Sequence, residues 1–356
     1  MFWFLGISLS LAQDTVSAVY STLTKQPVVD SELLEQAAIE GMLKVFDAQN
    51  SLTGSVLLNQ EAYERDRLWR EGWREGYGLR VQLIPGRGFH VEGVMEDSPA
   101  SQAGIHAGDL LVGLNHRSLI GLNSQTMLAI MSQEVQGSIP VEVLRGGQSF
   151  EFSLDKGSFQ MQMLSVGEAI SIHFFGSGVA EQLNTLFVSH PNLPKVIDLR
   201  DNEGGLWEES FAALDIFIEA DQVLGYRQST DGTAIPILST HPATITEPIV
   251  LLVNQGTQGP AELFALVLQE KYKATIIGER TFGDAVDYRI QYPKKDWVLM
   301  LADTEILSSK KQSWNQVGIT PNMVIPRGLV EISTYTGVQH VDRQLQTAMQ
   351  LIATSP

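Results

Sequence analysis

After Lys156 the sequence alternates short apolar runs with segments of helical spacing, and this alternation constrains the fold more than any other feature. The apolar runs are AISIHFF, VIDLR, PIVLLVN and ATIIGE, and the segments between them are VAEQLNTLFV, FAALDIFI and PAELFALVLQE. Strands separated by helices form crossover units, which place neighbouring strands parallel in one sheet. Residues 157–356 are therefore predicted to form an α/β core with a mixed, largely parallel sheet flanked by helices.

Residues 76–156 have a different pattern, in which short apolar runs are separated by glycine, proline and aspartate. The runs are VQLIP, FHVEGVM, DLLVGLN, IPVEVLR and SFEFSL, and one helical stretch from Ser124 to Met131 interrupts them. Runs of this length and punctuation predict strands. We expect a small β-sandwich or barrel with helices, placed between an N-terminal helical segment, residues 13–75, and the α/β core.

The composition is typical of a globular protein and excludes several kinds of site. Of the 356 residues, 44% are hydrophobic and 18% are charged, a balance that supports more than one packed unit. The formal charge of −17 would repel nucleic-acid phosphates, so we expect no nucleic-acid partner. The chain has no cysteine, which excludes disulfides, a thiol nucleophile and thiolate metal ligands.

The first twelve residues, MFWFLGISLSLA, form an apolar run that ends in a small residue. Such a run resembles the core and cleavage region of a secretory signal. It has no basic leader, because the first basic residue is Lys25, so a short anchor and a misplaced start codon are alternative interpretations. No other stretch reaches the roughly 18 apolar residues of a spanning helix. We therefore expect an exported protein of a bacterial envelope, periplasmic or extracellular.

Two parts of the β-rich segment resemble bacterial PDZ domains. The block from Ser98 to Leu122, SPASQAGIHAGDLLVGLNHRSLIGL, resembles their core signature, and the apolar-Gly-apolar tripeptide before it resembles their carboxylate-binding loop. Successive N–H groups of such a loop can hold a C-terminal carboxylate while the peptide adds as a strand to the sheet edge. The alternative is that Gly78 only serves a tight strand entry and that no peptide binds. The resemblance implies these peptide-binding residues: Tyr77, Gly78, Leu79, Val81, Leu128 and Met131.

Five further blocks resemble the carboxyl-terminal processing, or tail-specific, protease family. They are GMLKVFD, KVIDLRDNEGGLW, IVLLVNQGTQGPAELFALVLQ, ATIIGERTFGD and GITPNMVIP, and with the PDZ block they span nearly the whole chain in the family's order. The resemblance implies a PDZ domain inserted in a peptidase core. That family cleaves peptide bonds with a serine nucleophile and a lysine general base, which a buried setting keeps deprotonated.

The positions that would carry this chemistry depart from the family's pattern. The family's nucleophile motif reads roughly N-x-G-[ST]-A-S-A-S-E, and its nucleophilic serine falls on Gly259. The catalytic lysine lies in a T-F-G-K-G stretch and falls on Asp284, and a supporting glutamine four residues later falls on Tyr288. Glycine has no side chain with which to attack, and a carboxylate replaces the ammonium group.

The oxyanion hole departs from the pattern as well. The family uses the N–H of the residue after the nucleophile together with one N–H from a GG loop. Gly204 and Gly205 keep this loop, whereas the first position is Pro260, which has no N–H to donate. The resemblance therefore implies that one of the two oxyanion donors is missing.

A shift of register does not restore the missing groups. No serine occurs between Thr240 and Leu307, and the neighbours of Asp284 are a glycine and an alanine. Thr257 is the one hydroxyl residue of the nucleophile loop, and it matches a family position that is not the nucleophile. It remains an alternative nucleophile only if the catalytic groups have been relocated.

No metal or cofactor is expected, because the seven histidines lack metal-binding spacing and no glycine-rich phosphate loop precedes a helix. The sequence predicts a pseudoprotease, which binds peptide C-termini, or a partner such as an active protease or an envelope protein, without cleaving it. One alternative is an active serine-type or threonine-type endopeptidase with a relocated catalytic group. The other is a structural protein of the envelope that binds no peptide.

Overall fold

The described chain forms two compact units in the computed structural model. The smaller unit holds the described residues up to Tyr63 together with Ser229–Gly232 and Val286–Glu305, and the larger unit holds the others. The predicted signal segment lies outside the described residues, as do Leu128 and Met131 of the predicted peptide-binding set. The described residues are 15–26, 30–123, 125–126, 137–190, 195–327 and 342–354.

Helices and strands are labelled in chain order from Ser31 onward. Residues 15–23 are also helical and carry no label. The helices are α1 (Ser31–Asn50), α2 (Gln60–Arg70), α3 (Pro99–Ala103), α4 (Val179–Ser189), α5 (Trp207–Leu214), α6 (Pro260–Val267), which a π-helical turn (Leu268–Tyr272) follows, and α7 (Arg343–Thr354). The strands are β1 (Val56–Asn59), β2 (Trp73–Gly76), β3 (Leu79–Ile84), β4 (Gly88–Val94), β5 (Leu110–Leu114), β6 (Arg117–Ser118), β7 (Ile139–Arg145), β8 (Gln148–Leu154), β9 (Gly157–Gln160), β10 (Leu164–Val166), β11 (Ile170–Ile172), β12 (Val196–Asp198), β13 (Val223–Ser229), β14 (Ala234–Leu238), β15 (Val250–Val253), β16 (Thr275–Gly278), β17 (Val286–Lys294), β18 (Trp297–Leu307) and β19 (Met323–Val324).

The smaller unit contains α1 and the antiparallel strands β1, β17 and β18. α1 begins after Asp30, whose carboxylate accepts the N–H of Leu33 at 3.2 Å as an N-cap. β18 pairs antiparallel with both β1 and β17. Three residues form the buried apolar cluster of this unit: Leu52, Val286 and Ala302.

The segment with the PDZ resemblance forms an antiparallel sheet in the larger unit. Its strand order is β3-β4-β5-β7-β8, with β6 beside β5. Between β4 and β5, α3 begins at Ser98, whose hydroxyl accepts the N–H of Ser101 at 3.3 Å, and ends at Gly104 in the left-handed conformation. The carboxylate of Asp109, almost fully buried, pairs with Arg145 at 2.7 Å and so connects β7 to the turn before β5.

The short strands β2 and β9 pair antiparallel directly before and after this sheet. Gly76 lies opposite Gly157 in that pairing, so the chain enters and leaves the PDZ-like sheet at neighbouring points. A domain can be inserted into another when the two ends of its own chain segment lie close together. The predicted arrangement, a small β-rich domain inserted in an α/β core, is confirmed.

The core of the larger unit contains a six-stranded sheet with the order β10-β11-β12-β15-β16-β19. β10 and β11 are antiparallel, and the other neighbouring pairs are parallel. This sheet is the mixed, largely parallel one that the alternation of strands and helices predicted. Because β12 and β15 are adjacent and parallel, the loops that follow them emerge at the same edge of the sheet, where sites in open α/β sheets form.

Successive side chains of the central strands point to opposite faces of this sheet, and both faces are buried. Ile197 and Leu251 belong to a large apolar cluster that includes residues of α4, α5 and α6. Val196 and Val250, their neighbours in the chain, belong to a second cluster with Ala348 of α7. The sheet therefore lies between two layers of helix. Within the residues that the structure describes, no helix has both the length and the apolar character needed to cross a bilayer.

Candidate functional site

Gly259 occupies a sharp turn between β15 and α6. Its backbone angles are φ 51° and ψ −117°, in the left-handed region that side-chain-bearing residues adopt only under strain. A strained strand-to-helix turn of this kind is the device by which α/β-hydrolases present a catalytic serine. Here the turn presents a residue without a side chain.

Asp284 lies directly beside Gly259, although separate motifs indicated the two positions. A Cβ built on Gly259 would lie 3.8 Å from Asp284 Oδ2 and 3.9 Å from Trp207 Cη2. Asp284 also accepts, through its backbone carbonyl, the indole N–H of Trp314 at 3.1 Å. The structure thus brings the two positions together, in the arrangement that a nucleophile and its base would need.

Glu262 holds the two positions in place, and the sequence analysis did not single it out. Its carboxyl group is fully buried and accepts the N–H of Gly259 at 3.0 Å and those of Gly283 and Asp284 at 2.8 Å each. It also accepts the hydroxyl of Thr281. One side chain therefore connects the turn at Gly259 to the loop that carries Asp284. Its position as the last residue of the matched motif was the sequence signal that could have identified it.

The pKa of the Glu262 carboxyl is shifted by its surroundings. Burial disfavours the charged form and raises the pKa to about 7, although the hydrogen bonds that it accepts act in the opposite direction. The carboxyl group that accepts the N–H of Gly259 therefore gains or loses its proton near neutral pH.

The glycine loop after β12 contacts the same turn. A Cβ built on Gly204 would lie 3.2 Å from Pro260 Cδ. The N–H of Gly204 donates to Asn202 Oδ1 at 2.9 Å, which leaves the N–H of Gly205 as the candidate oxyanion donor of this loop. Pro260 opens α6 at a position that accommodates proline well, and its carbonyl accepts the hydroxyl of Ser210 at 2.7 Å.

Thr257, the alternative nucleophile, is buried in the turn that precedes Gly259. Its hydroxyl donates to the carbonyl of Leu199 at 2.9 Å and accepts the N–H of Asn254 at 3.0 Å. Both functions of the hydroxyl group are therefore used in holding the loop together.

Tyr288, on which the family's glutamine falls, lies in β17 of the smaller unit. Its side chain packs against the cluster of Leu52, Val286 and Ala302. A Cβ built on Gly54 would lie 2.5 Å from the Tyr288 hydroxyl, so the tyrosine fills the space that this glycine leaves.

The loop predicted to bind a carboxylate leads into β3. The side chain of Tyr77 is buried in the PDZ-like core, and its carbonyl accepts the N–H of Ala100 at 3.0 Å. Gly78 has φ +76°, and its carbonyl accepts the N–H of Met95 at 2.8 Å. The glycine is required here, because a Cβ on it would lie 2.1 Å from Ser98 Cβ.

β3 stands at one end of the strand order in its sheet, which is the position from which a sheet can accept an added strand. Leu79 and Val81 lie on this strand, and both are only partly buried against the PDZ-like core. The structure therefore places the carboxylate loop and an edge strand in sequence, as peptide addition requires.

Replacing Gly78 by alanine is expected to lower the affinity for a peptide with an apolar C-terminus at least about tenfold. The new Cβ would lie 2.3 Å from Ser98 Oγ, so the loop must move. Gly86→Ala is the matched control, because Gly86 has φ +74° and nothing within 4 Å of a built Cβ. Both variants carry the left-handed strain, roughly 1 to 2 kcal/mol. Fluorescence anisotropy would measure the affinity. An equal loss of affinity in Gly78→Ala and Gly86→Ala would contradict a role for this loop.

A serine and a histidine outside the expected positions also meet in the structure. Ser165 Oγ lies 2.8 Å from His173 Nε2, across the pairing of β10 with β11. Burial lowers the pKa of His173, although Asp198 acts in the opposite direction. No spacing rule in the sequence indicated this pair, because strand pairing alone brings the two residues together.

Two family models match the chain. The model described as peptidase family S41 matches residues 169–325, and the model of the PDZ domain matches residues 69–144. The first range contains Gly259 and Asp284, and the second contains the carboxylate loop.

Curated relatives carry names from one class of enzyme. Similar proteins are the chloroplastic carboxyl-terminal-processing peptidase 3 of Arabidopsis thaliana, 24% identical over 78% of this chain, a probable CtpA-like serine protease of Staphylococcus saprophyticus, 25% identical over 87%, and the carboxyl-terminal-processing protease of Synechocystis, 23% identical over 88%. The chain spans 58% of the first relative, 65% of the second and 76% of the third.

Solved structures share the fold. The photosystem II D1 C-terminal processing protease aligns with a TM-score of 0.52 and 19% identity, over 86% of this chain and 85% of its own. A putative S41 protease from Bacteroides fragilis aligns with a TM-score of 0.57 and 16% identity, over 79% of this chain and 83% of its own.

Proposed function

We propose that this chain, which belongs to peptidase family S41 and carries a PDZ domain, is a pseudoprotease. It binds peptide C-termini, or a partner protein such as an active protease or an envelope protein, without cleaving the bound chain. Export to the periplasm or the cell exterior is part of the same proposal. The observation that carries it is the adjacency of Gly259 and Asp284 at the turn before α6.

The turn at Gly259 supports the loss of nucleophilic catalysis. Covalent peptidases need a hydroxyl or thiol with a base within hydrogen-bond reach. Gly259 has no side chain, and the group beside it is the carboxylate of Asp284 rather than an amine. Loss of a nucleophile or its base lowers turnover by roughly 10⁶, with effects that overlap rather than add.

The oxyanion side of the site supports the same conclusion. Pro260 follows Gly259 and has no N–H, so the donor that the family places there is missing. Loss of one such donor typically costs about 3 to 4 kcal/mol of transition-state stabilisation. The N–H of Gln258 donates to the carbonyl of Asn202 at 2.9 Å, so the glycine loop lies against the turn, with the N–H of Gly205 as the remaining candidate donor.

The PDZ loop supports the binding half of the proposal. Backbone N–H groups at the entry to an edge strand can capture a terminal carboxylate, and Gly78 has the left-handed conformation and close packing on Ser98 that such a loop needs. Specificity for the last side chain would come from Leu79 and Val81, with Leu128 and Met131 as further predicted contacts.

A second candidate function is a peptidase with relocated catalytic groups, and one observation favours it. Ser165 and His173 are within hydrogen-bond distance, 2.8 Å, as a hydroxyl nucleophile and its base require. Thr257 is the weaker alternative, because its buried hydroxyl already donates to Leu199.

The proposal is tested with purified protein and a fluorescent reporter peptide that ends in an apolar residue with a free carboxylate. Anisotropy measures binding, and mass spectrometry of the same sample measures cleavage. We expect saturable binding and an unchanged peptide mass after prolonged incubation.

Other outcomes would replace the proposal. Cleavage above the rate of a mock purification would overturn it, and its disappearance in Ser165→Ala would identify the second candidate. The absence of binding to any reporter, with a partner still associated, would instead support a structural protein of the envelope.

A further inference from the structure

The turn at Gly259 lies against an acid and an aromatic ring. A Cβ at this position would meet Asp284 Oδ2 at 3.8 Å, Trp207 Cη2 at 3.9 Å and the Asp284 carbonyl oxygen at 4.0 Å. Gly259 itself is buried, while Asp284 is half-buried. The three nearest atoms are therefore a carboxylate oxygen, an indole carbon and a backbone carbonyl oxygen.

We propose that the half-buried carboxylate of Asp284, beside Gly259, is the ion-pair partner of a lysine or arginine side chain of the bound polypeptide. The inference rests on the proposed function, because it names what the non-cleaving site takes. Asp284 offers a carboxylate at this turn, and a carboxylate pairs with an ammonium or guanidinium group that the ligand would supply.

Two tryptophans provide the second half of such a site. Trp207 and Trp314 contact each other edge to face, with ring centroids 6.4 Å apart, and Trp314 donates its indole N–H to the Asp284 carbonyl. Indole rings attract ammonium and guanidinium groups and also pack against aliphatic stems. A carboxylate flanked by indoles is therefore suited to a basic side chain and poorly suited to an acidic one.

Two exposed apolar residues lie at the loop that carries Asp284. Phe282 and Val317 are 60% and 58% exposed, and a Cβ built on Gly283 would lie 2.9 Å from the backbone nitrogen of Val317. The two residues thus border the loop that carries Asp284. They offer contact area to the residues that flank the basic side chain in a bound segment.

The local charges favour a cation in spite of one opposing effect. The N-terminus of α6 carries a positive partial charge of about half an elementary charge, which opposes a cation, whereas the carboxylate of Asp284 attracts one. Glu262, below the turn, adds negative charge when it is ionised. Asp284 keeps its existing contacts in this arrangement, because an ionised carboxylate can accept about four hydrogen bonds.

The test uses two fluorescent peptides that differ only in one central residue, lysine or norleucine. Both have an amidated C-terminus, so that neither offers a carboxylate to the PDZ loop. We expect the wild-type chain to bind the lysine peptide at least about tenfold more tightly, a difference of about 1.4 kcal/mol. Asp284→Asn is expected to remove this difference, and added salt to reduce it.

Glu181→Gln is the matched control, because Glu181 is exposed on α4 and its replacement changes the net charge by the same amount. This variant is expected to keep the preference for lysine. Equal binding of the two peptides by the wild-type chain would overturn the inference. An equal loss of the lysine preference in Asp284→Asn and Glu181→Gln would overturn it as well. A folded chain that binds the carboxylate reporter but neither amidated peptide would overturn it while the proposed function stands. A chain that binds none of the three would overturn both.

Discussion

A variant with Gly259→Ser, Pro260→Ala and Asp284→Lys is expected to cleave an unfolded reporter at a rate at least about 10³-fold above the parent chain. The three changes supply a nucleophile at the turn, an amine beside it and the missing oxyanion N–H. The geometry is already present, because a Cβ at Gly259 would lie 3.8 Å from Asp284 Oδ2 and the N–H of Gln258 donates to the carbonyl of Asn202 in the glycine loop. Mass spectrometry of the products would measure the rate. We expect less activity than in a complete member of the family, since Tyr288 is unchanged.

The control variant carries Gly259→Ala with the same two further changes. It has the same oxyanion donor and the same lysine, and it differs by a single hydroxyl group. Cleavage by the serine variant and none by the alanine variant would establish the register at Gly259. Lack of cleavage by a folded serine variant would contradict the assignment of Gly259 and Asp284 as the positions of nucleophile and base.

Glu262→Ala is expected to lower the free energy of unfolding by about 3 to 5 kcal/mol. The substitution removes the acceptor for the N–H groups of Gly259, Gly283 and Asp284 and for the hydroxyl of Thr281. Each buried donor left unpaired costs about 1 to 3 kcal/mol, and relaxation or water recovers part of this. Urea unfolding followed by tryptophan fluorescence would measure the loss.

The same carboxyl group gives the stability a pH dependence whose sign follows from its pKa. The pKa is about 7 in the folded chain, above the value of 4.5 expected when unfolded. Between these values the folded chain holds the proton and the unfolded chain has lost it, so stability falls as pH rises from about 5 to about 7. Glu262→Gln is expected to remove this slope.

Glu181→Ala, on the exposed face of α4, is the control for both measurements. It is expected to change the free energy of unfolding by less than about 0.5 kcal/mol and to leave the pH slope as it is. A similar loss in both alanine variants would show that Glu262 does not carry the connection between the two loops.

Much of the fold could be predicted because local burial patterns repeat along each element. The alternation of apolar runs with helical segments after Lys156 predicted the largely parallel sheet, and the structure confirms it. The N-terminal segment predicted to be helical, residues 13–75, contains α1 and α2 but also the strands β1 and β2. The predicted resemblance is confirmed as well, because the models of peptidase family S41 and of the PDZ domain match residues 169–325 and 69–144. The domain boundaries after residues 12, 75 and 156 and the export signal stay predictions.

The candidate site was only partly predictable, because its parts come from loops far apart in the sequence. Motif matching indicated Gly259 and Asp284 as separate positions without a distance between them. It did not indicate that Glu262 accepts hydrogen bonds from both loops, since a glutamate in an apolar run gives no sign of its partners. The Ser165–His173 contact depends on the pairing of β10 with β11, which no residue type specifies. The roles of the site residues remain predictions until the variants are measured.

The sequence by itself determined which chemical groups are present at the site. A glycine at position 259 has no hydroxyl and a proline at position 260 has no N–H in any fold, so these absences required no structure. The tertiary structure alone decided which groups meet. The adjacency of β12 and β15 brings the glycine loop to the turn before α6, and the buried Glu262 brings Asp284 to the same place. Side-chain identity is a property of each position, whereas proximity results from the packing of the whole sheet.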